Sequence, residues 1–211
     1  LEDAYGDPSL HRRGVAGGPP RDPLDTLILT LLTQATNDAN SCRAFSRLKE
    51  RFPTWGEARD APAEELAEAI AVGGLGPTKA ERIKVILQLL SRGTGEPRLE
   101  LEGMSDAEAV EFLRGLPGVG PKTAACVLLF ALDRPVFPVD THILRVARRL
   151  GLLPPRAGAE KAHRILGELV PPEKAYSVHV NLIRHGREVC RSRRPACQRC
   201  GLRPECPTAP P

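Results

Sequence analysis

Aromatic residues are scarce in this 211-residue chain: Phe, Trp and Tyr together make up 4% of it, with one Trp and two Tyr. Proteins that hold single strands, or read RNA on a sheet, stack bases on aromatic side chains, so neither use is expected here. No uninterrupted apolar stretch approaches the roughly 20 residues that a membrane span needs. Period-two alternation, the mark of a half-buried strand, is missing throughout, and no internal repeat extends beyond two glycine hairpins. Residues 1–23 are polar and rich in Gly and Pro, without the apolar core of a secretion signal. The chain begins at Leu1, not Met, which reads as trimming or processing. A cytoplasmic location is expected, nucleoid-associated in a prokaryote.

What is present is ordinary in bulk and uneven in distribution. A composition of 41% hydrophobic and 27% charged residues suits one or two small domains with a proper core. The net charge of +4 hides an asymmetry: residues 141–211 carry 14 Lys/Arg against 5 Asp/Glu, a balance of +9, whereas residues 1–140 sum to −5. A basic third on a mildly acidic body suggests one face meant for a polyanion. With so few aromatics, duplex DNA is the better polyanion.

Helical spacing accounts for most of the chain. Leu24, Leu27, Ile28, Leu31 and Leu32 form one apolar stripe, and Asn40–Phe52 continues as a more charged helix. Asp60, Pro62, Glu64 and Glu65 read as cap, proline and acids at the start of a helix running to about Val72. After the Leu75–Lys79 turn, Ile83, Ile86, Leu87 and Leu90 share a face. Arg92–Leu101 reads as a loop, and Ser105 with Glu108 as a capping box. Further helices are predicted over Thr141–Leu150, Glu160–Val170 and Lys174–Glu188. The fold class is all-α.

Two stretches carry chemistry. In Leu116-Pro117-Gly118-Val119-Gly120-Pro121-Lys122-Thr123-Ala124 the glycines allow a tight hairpin, and Pro121 suits the first position of an apolar helix. Free amides around Gly118, Val119 and Gly120, with a helix N-terminus behind them, form an anion cradle, and Lys122 sits beside it. Near the C-terminus, Cys190, Cys197, Cys200 and Cys206 fall within 17 residues as C-x6-C-x2-C-x5-C. In a cytoplasmic protein that pattern points to a metal centre over disulfides, and spacing alone leaves tetrahedral zinc and a cubane iron–sulfur cluster both open. Arg191, Arg193 and Arg194, between the first two cysteines, are cations on a loop that such a centre would pin for phosphate contact.

The hairpin L-P-G-V-G-x-K-T-A, Val139-Asp140-Thr141-His142, Gln34-Ala35-Thr36-Asn37 and the cysteine spacing resemble the endonuclease III family of helix-hairpin-helix DNA glycosylases, over about Leu24–Cys206. The resemblance implies two helical lobes flanking a DNA-binding cleft: a six-helix barrel with the helix-hairpin-helix over residues 24–134, and an iron–sulfur domain of 1–23 with 135–211. It makes the four cysteines ligands of a [4Fe–4S] cluster. On residues alone, Lys122 reads as a phosphate contact and Asp140 as a helix N-cap. The resemblance instead implies a catalytic pair, with Lys122 the nucleophile on the sugar and Asp140 assisting. His142 gets no catalytic role.

An enzyme that extrudes a base must fill the gap it leaves. By the resemblance Gln34 inserts into the DNA stack and Leu75 is the wedge at the opposite strand, where residues alone make Leu75 an ordinary packed loop leucine. One departure stands out: Gly76-Pro77 follow Leu75, where the family carries a bulkier residue and an asparagine. The implied activity is removal of oxidised pyrimidines from damaged double-stranded DNA, then strand cleavage 3′ to the abasic site by β-elimination, by a monomer without membrane attachment. The alternatives are a monofunctional mismatch glycosylase of the same superfamily and a non-catalytic duplex-DNA-binding module. The adenine-removing branch replaces the lysine and places a Glu in the first helix, whereas this chain has Lys122 and no Glu in Leu24–Thr33.

Overall fold

The computed structural model describes residues 1–8, 22–91, 93 and 95–210. Most of the polar N-terminal stretch and two positions of the 92–101 loop therefore lie outside the described residues. Among those described there is no strand, and no helix is long and apolar enough to cross a membrane. The helices are α1 (Glu2–Tyr5), α2 (Pro23–Leu32), α3 (Asp38–Arg51), α4 (Trp55–Asp60), α5 (Ala63–Ile70), α6 (Gly76–Leu89), α7 (Asp106–Arg114), α8 (Pro121–Ala131), α9 (Thr141–Arg149), α10 (Ala159–Leu169) and α11 (Ala175–Glu188). Residues 22–127 belong to one compact unit, and 1–8 with 128–210 to another, the division falling inside α8.

In the first unit, α2 begins at Asp22, whose carboxylate accepts the Asp25 amide, with Pro23 in the first turn where its missing N–H costs nothing. Every apolar residue of its stripe is buried, each contributing about 1.5–3 kcal/mol by leaving water. This helix packs on α3 and α6, and α5 packs on both α3 and α6. The capping box of α7 is complete: Ser105 accepts the Glu108 amide while Glu108 accepts the Ser105 amide.

Two local details differ from expectation. Trp55–Asp60 is a helix that the sequence pattern did not announce. Thr54 caps it at Glu57, and Glu96 reaches in from far along the chain to accept the amides of Trp55 (2.7 Å) and Gly56 (3.0 Å). Asp60 does not cap α5; it ends α4, paired with Arg59 at 2.7 Å, and α5 starts from Pro62 without a side-chain cap.

The second unit is built on α9 and α11, which pack together, with α1 on α11. Phe137, Val139, Ile143, Val146, Ala147, Ala162, Leu166, Ala175 and Leu182 share its core.

The Gly76-Pro77 departure has a packing reason. Leu75 adopts the left-handed conformation (φ 53°, ψ 35°) immediately before α6. A Cβ on Gly76 would lie 2.9 Å from the Ala67 carbonyl oxygen, closer than a side chain can come to backbone. Pro77 occupies the first turn of α6, where no N–H is missed. Gly76→Ala is therefore expected to cost about 1–3 kcal/mol through overpacking. An unchanged midpoint in urea unfolding would dismiss the contact as a constraint.

Candidate functional site

The Leu116–Ala124 hairpin is closed by the Val119 amide donating to the Leu116 carbonyl at 3.2 Å, and Gly118 takes φ 78°, a value that favours glycine. Ala124 N–H donates to the Gly120 carbonyl at 3.0 Å, so α8 starts directly behind the turn. The amides of Gly118, Gly120, Lys122 and Thr123 reach no protein acceptor among the described residues. They are oriented donors at the positive end of a helix, the physical requirement for an anion site. Lys122, half-buried on the first turn, makes no hydrogen bond or ion pair among the described residues.

Gln34 meets this hairpin. Its Nε2 donates to the Gly118 carbonyl at 3.1 Å, while its Oε1 accepts from Arg82 Nη1 at 3.4 Å. Arg82 is exposed, and its Cδ lies 2.9 Å from where a Gly118 Cβ would stand. A second cation thus joins Lys122 and the free amides. Sequence reasoning passed over Arg82 because no local motif ties α6 to a turn 36 residues on.

Leu75 is 59% exposed, so it is not a packed loop leucine. Neighbouring Lys79 is 3% exposed, and its Nζ donates to the carbonyls of Leu32 and Gly73, both at 2.9 Å. These carbonyls lie two residues before Gln34 and Leu75. One buried ammonium therefore ties together the two segments that carry the candidate gap-filling residues. Burial pushes the Lys79 amine below its ordinary value, the desolvation cost of charge in the interior.

In the second unit Asp140 caps α9: its Oδ1 accepts the Ile143 amide at 2.7 Å. Its Oδ2 takes no hydrogen bond among the described residues, so capping leaves one oxygen available. His142 packs against Gly186, with its Nδ1 3.0 Å from Arg145 Nη2.

All four motif cysteines line one cavity of about 510 Å³, with Val146, Leu150, Val189 and Leu202 supplying apolar wall. Among the described residues no three His, Cys, Asp or Glu side chains converge closely enough to hold one metal ion. Four thiols around one cavity, with no carboxylate lining it, are a donor set that either a tetrahedral zinc ion or an iron–sulfur cluster takes. Arg149 clamps the loop that follows Cys190. Its guanidinium donates to the carbonyls of Arg191 (2.7 Å) and Ser192 (3.1 Å) and to Cys190 Sγ (3.2 Å). Arg145 Nε adds the Cys190 carbonyl at 3.0 Å. The i, i+4 spacing of Arg145 and Arg149 on α9 was the one signal that could have found this pair from sequence. Arg191, Arg193 and Arg194 are exposed on the clamped loop, Arg194 with φ 50°.

Comparison with known proteins finds relatives over most of the chain. Residues 28–172 match the family model described as HhH-GPD superfamily base excision DNA repair protein. A DNA glycosylase-like protein of Arabidopsis thaliana is 39% identical over 189 residues, which is 89% of this chain and 63% of that one. Endonuclease III of Thermotoga maritima is 34% identical over 88% of this chain and 83% of its own length. Endonuclease III of Sulfolobus acidocaldarius is 34% identical over 90% and 83%. Among solved structures, a non-covalent endonuclease III–DNA complex superposes with a TM-score of 0.81 at 28% identity, covering 96% of this chain and 91% of that one. A thermostable thymine-DNA glycosylase shares the fold, with a TM-score of 0.77 at 23% identity over 90% of this chain and 85% of that one.

Replacing Lys79 by Met should leave two buried carbonyls without a donor and lower stability by roughly 2 kcal/mol. The amides around Gln34 and Leu75 should then exchange with solvent faster than the rest of the first unit. Hydrogen–deuterium exchange that rises uniformly, or nowhere, would mean the ammonium does not organise these segments.

Proposed function

From its membership of the endonuclease III family, within the HhH-GPD superfamily of base excision DNA repair proteins, we propose that the chain is a bifunctional DNA glycosylase/AP lyase removing oxidised pyrimidines from duplex DNA. The observation that carries the lyase reading is the contrast between its lysines. Lys79 is consumed by two carbonyls, whereas the Lys122 amine stands unpaired, among the described residues, beside free backbone amides. A phosphate held by the hairpin amides and by Arg82 would bring the sugar of a neighbouring nucleotide to that amine.

Lys122 Nζ, as the neutral amine, attacks C1′ of the extruded nucleotide and the bond to the base breaks, the base leaving as an anion that takes a proton from water. The sugar ring then opens to a Schiff base on Nζ. Loss of a C2′ proton expels the 3′ phosphate by β-elimination, and hydrolysis frees the lysine. In this reading Asp140 stabilises the cationic sugar and accepts the amine's proton through Oδ2, while Oδ1 remains on the helix. Gln34 and the exposed Leu75 occupy the space vacated in the duplex.

Cys190, Cys197, Cys200 and Cys206 would hold a [4Fe–4S] cluster, and four thiols around one cavity are the donor set it takes. Bound there, the cluster supplies a rigid covalent clip for the loop carrying Arg191, Arg193 and Arg194. In the same reading residues 24–134 are the six-helix barrel lobe and 1–23 with 135–211 the iron–sulfur domain. The enzyme works in the cytoplasm, on nucleoid DNA in a prokaryote.

Borohydride trapping on DNA carrying an abasic site or oxidised thymine should give a covalent adduct with the wild type and none with Lys122→Ala. Lys122→Ala should still bind DNA. A wild type that binds DNA but yields no adduct on any substrate leaves only a monofunctional glycosylase or a binding module. Asp140→Asn should lose base excision by orders of magnitude while keeping DNA affinity; full activity would reduce Asp140 to a cap. Neutralising Arg191, Arg193 and Arg194 together should flatten the dependence of log affinity on log salt, by about 0.9 for each phosphate that is no longer neutralised.

A further inference from the structure

We infer that His185 is a positioning residue for the metal centre: its Nε2–H donates to the Cys200 thiolate, and the Tyr5 hydroxyl, donating to Nδ1, fixes the required tautomer. The inference rests on the reading of the four cysteines as cluster ligands. His185 is 4% exposed, on the face of α11 that lines the cysteine cavity. Its Nδ1 lies 2.9 Å from Tyr5 Oη, and its Nε2 lies 3.6 Å from Cys200 Sγ.

The chain of donors follows from elementary chemistry. A ligand thiolate has no proton, so towards His185 the Cys200 sulfur only accepts. Nε2 must then carry the ring hydrogen, and the neutral imidazole presents a lone pair at Nδ1. That lone pair needs a donor, and the phenol O–H supplies it. Ligating residues are oriented and tuned by such outer partners, and hydrogen bonds to the sulfurs are among the determinants of cluster potential. A donor near the sulfur stabilises the added electron and raises the potential.

Tyr5 is held from several sides. Its ring meets the His185 ring edge-on, with centroids 5.9 Å apart, and the Arg184 guanidinium lies 5.0 Å from its centre. Glu2 accepts from Lys174 Nζ (2.8 Å) and Ser177 Oγ (3.0 Å), while Asn181 Nδ2 donates to the Gly6 carbonyl at 3.0 Å. The N-terminal helix thus places a phenol on the far side of the His185 ring, which gives α1 a role beyond covering α11. Cys190 receives Arg149 instead, and Cys206 Sγ lies 3.5 Å from Thr208 Oγ1, so the sulfurs differ in the charge of the groups that face them.

The test uses the full chain with its iron quantified, in wild type and in Tyr5→Phe, His185→Phe and Glu2→Gln. Glu2→Gln weakens the attachment of α1 but leaves both partners of His185 in place. With iron content equal, the reduction potential should move negative in His185→Phe and by a smaller step in Tyr5→Phe, and stay at the wild-type value in Glu2→Gln. Iron release to a chelator should be several-fold faster in His185→Phe. Potentials in Tyr5→Phe and His185→Phe that match Glu2→Gln would overturn the inference while leaving the cluster reading intact. Should His185→Phe not fold, Tyr5→Phe decides alone, since it removes a single hydroxyl. A folded, DNA-binding wild type without iron would overturn both.

Discussion

A buried ammonium with two carbonyl acceptors is the constraint on which the segments carrying Gln34 and Leu75 depend. Moving a lysine charge into the interior is unfavourable unless hydrogen bonds replace its water, and Lys79 finds the carbonyls ending α2 and the turn before Leu75. Because those carbonyls belong to separate segments, satisfying the charge fixes their spacing. Gln34 and Leu75 leave these two anchored points in opposite ways: Gln34 is tied to the hairpin and to Arg82, and Leu75 stands exposed in a left-handed conformation. An exposed leucine with φ near 53° is unfavourable twice over, in solvation and in backbone. Its persistence is understandable where the surrounding backbone is over-determined, and Lys79 with the Gly76–Ala67 approach provides that.

What was legible in the chain was mainly what is local. The α2 stripe, the α7 capping box, the hairpin and the cysteine spacing each rest on residues within a few positions of one another. The helix over Trp55–Asp60 was not legible, because its N-terminus is completed by Glu96, some forty residues away. Asp60 misled for a related reason: a carboxylate before a proline is a good cap in isolation, but here Arg59 takes it. Lys79, Arg82, Arg145 and Arg149 carry ordinary sequence contexts and acquire their roles only when distant carbonyls arrive beside them. Gly76-Pro77 looked like a defect in a functional loop, yet the close approach of the Ala67 carbonyl makes the glycine a packing requirement.

Asp140 shows why capping and catalysis need not compete. A carboxylate has two oxygens and about four lone-pair directions, and one amide at 2.7 Å occupies one of them. The cap holds the side chain in one rotamer and aims the second oxygen without consuming it. In the proposed reading Asp140 would gain from that fixity, because a group already ordered loses little entropy when substrate arrives. In the same reading Lys122 meets the complementary condition: its amine has no partner among the described residues, so no bond would have to break before it reacted.

The loop that carries the cysteines draws its order from more than one source. Arg149 and Arg145 bind carbonyls of Cys190, Arg191 and Ser192, so the start of the loop is held by protein contacts alone. The later cysteines, Cys197, Cys200 and Cys206, lie on short turns tied back by Arg199 Nη2 on the Glu188 carbonyl (3.0 Å) and by Thr208 Oγ1 on the Arg149 carbonyl (3.2 Å), and in the proposed reading a bound centre would add to that constraint. The exposed arginines 191, 193 and 194 lie between these two stretches. Arg191 sits on backbone fixed by Arg149, and beyond Arg193 and Arg194 the Ala196 amide closes the loop by donating to the Val189 carbonyl at 2.9 Å. In the proposed reading the three cations are thus preorganised for phosphate by backbone held at both ends of their loop, and the four sulfurs on a cluster would add to that order.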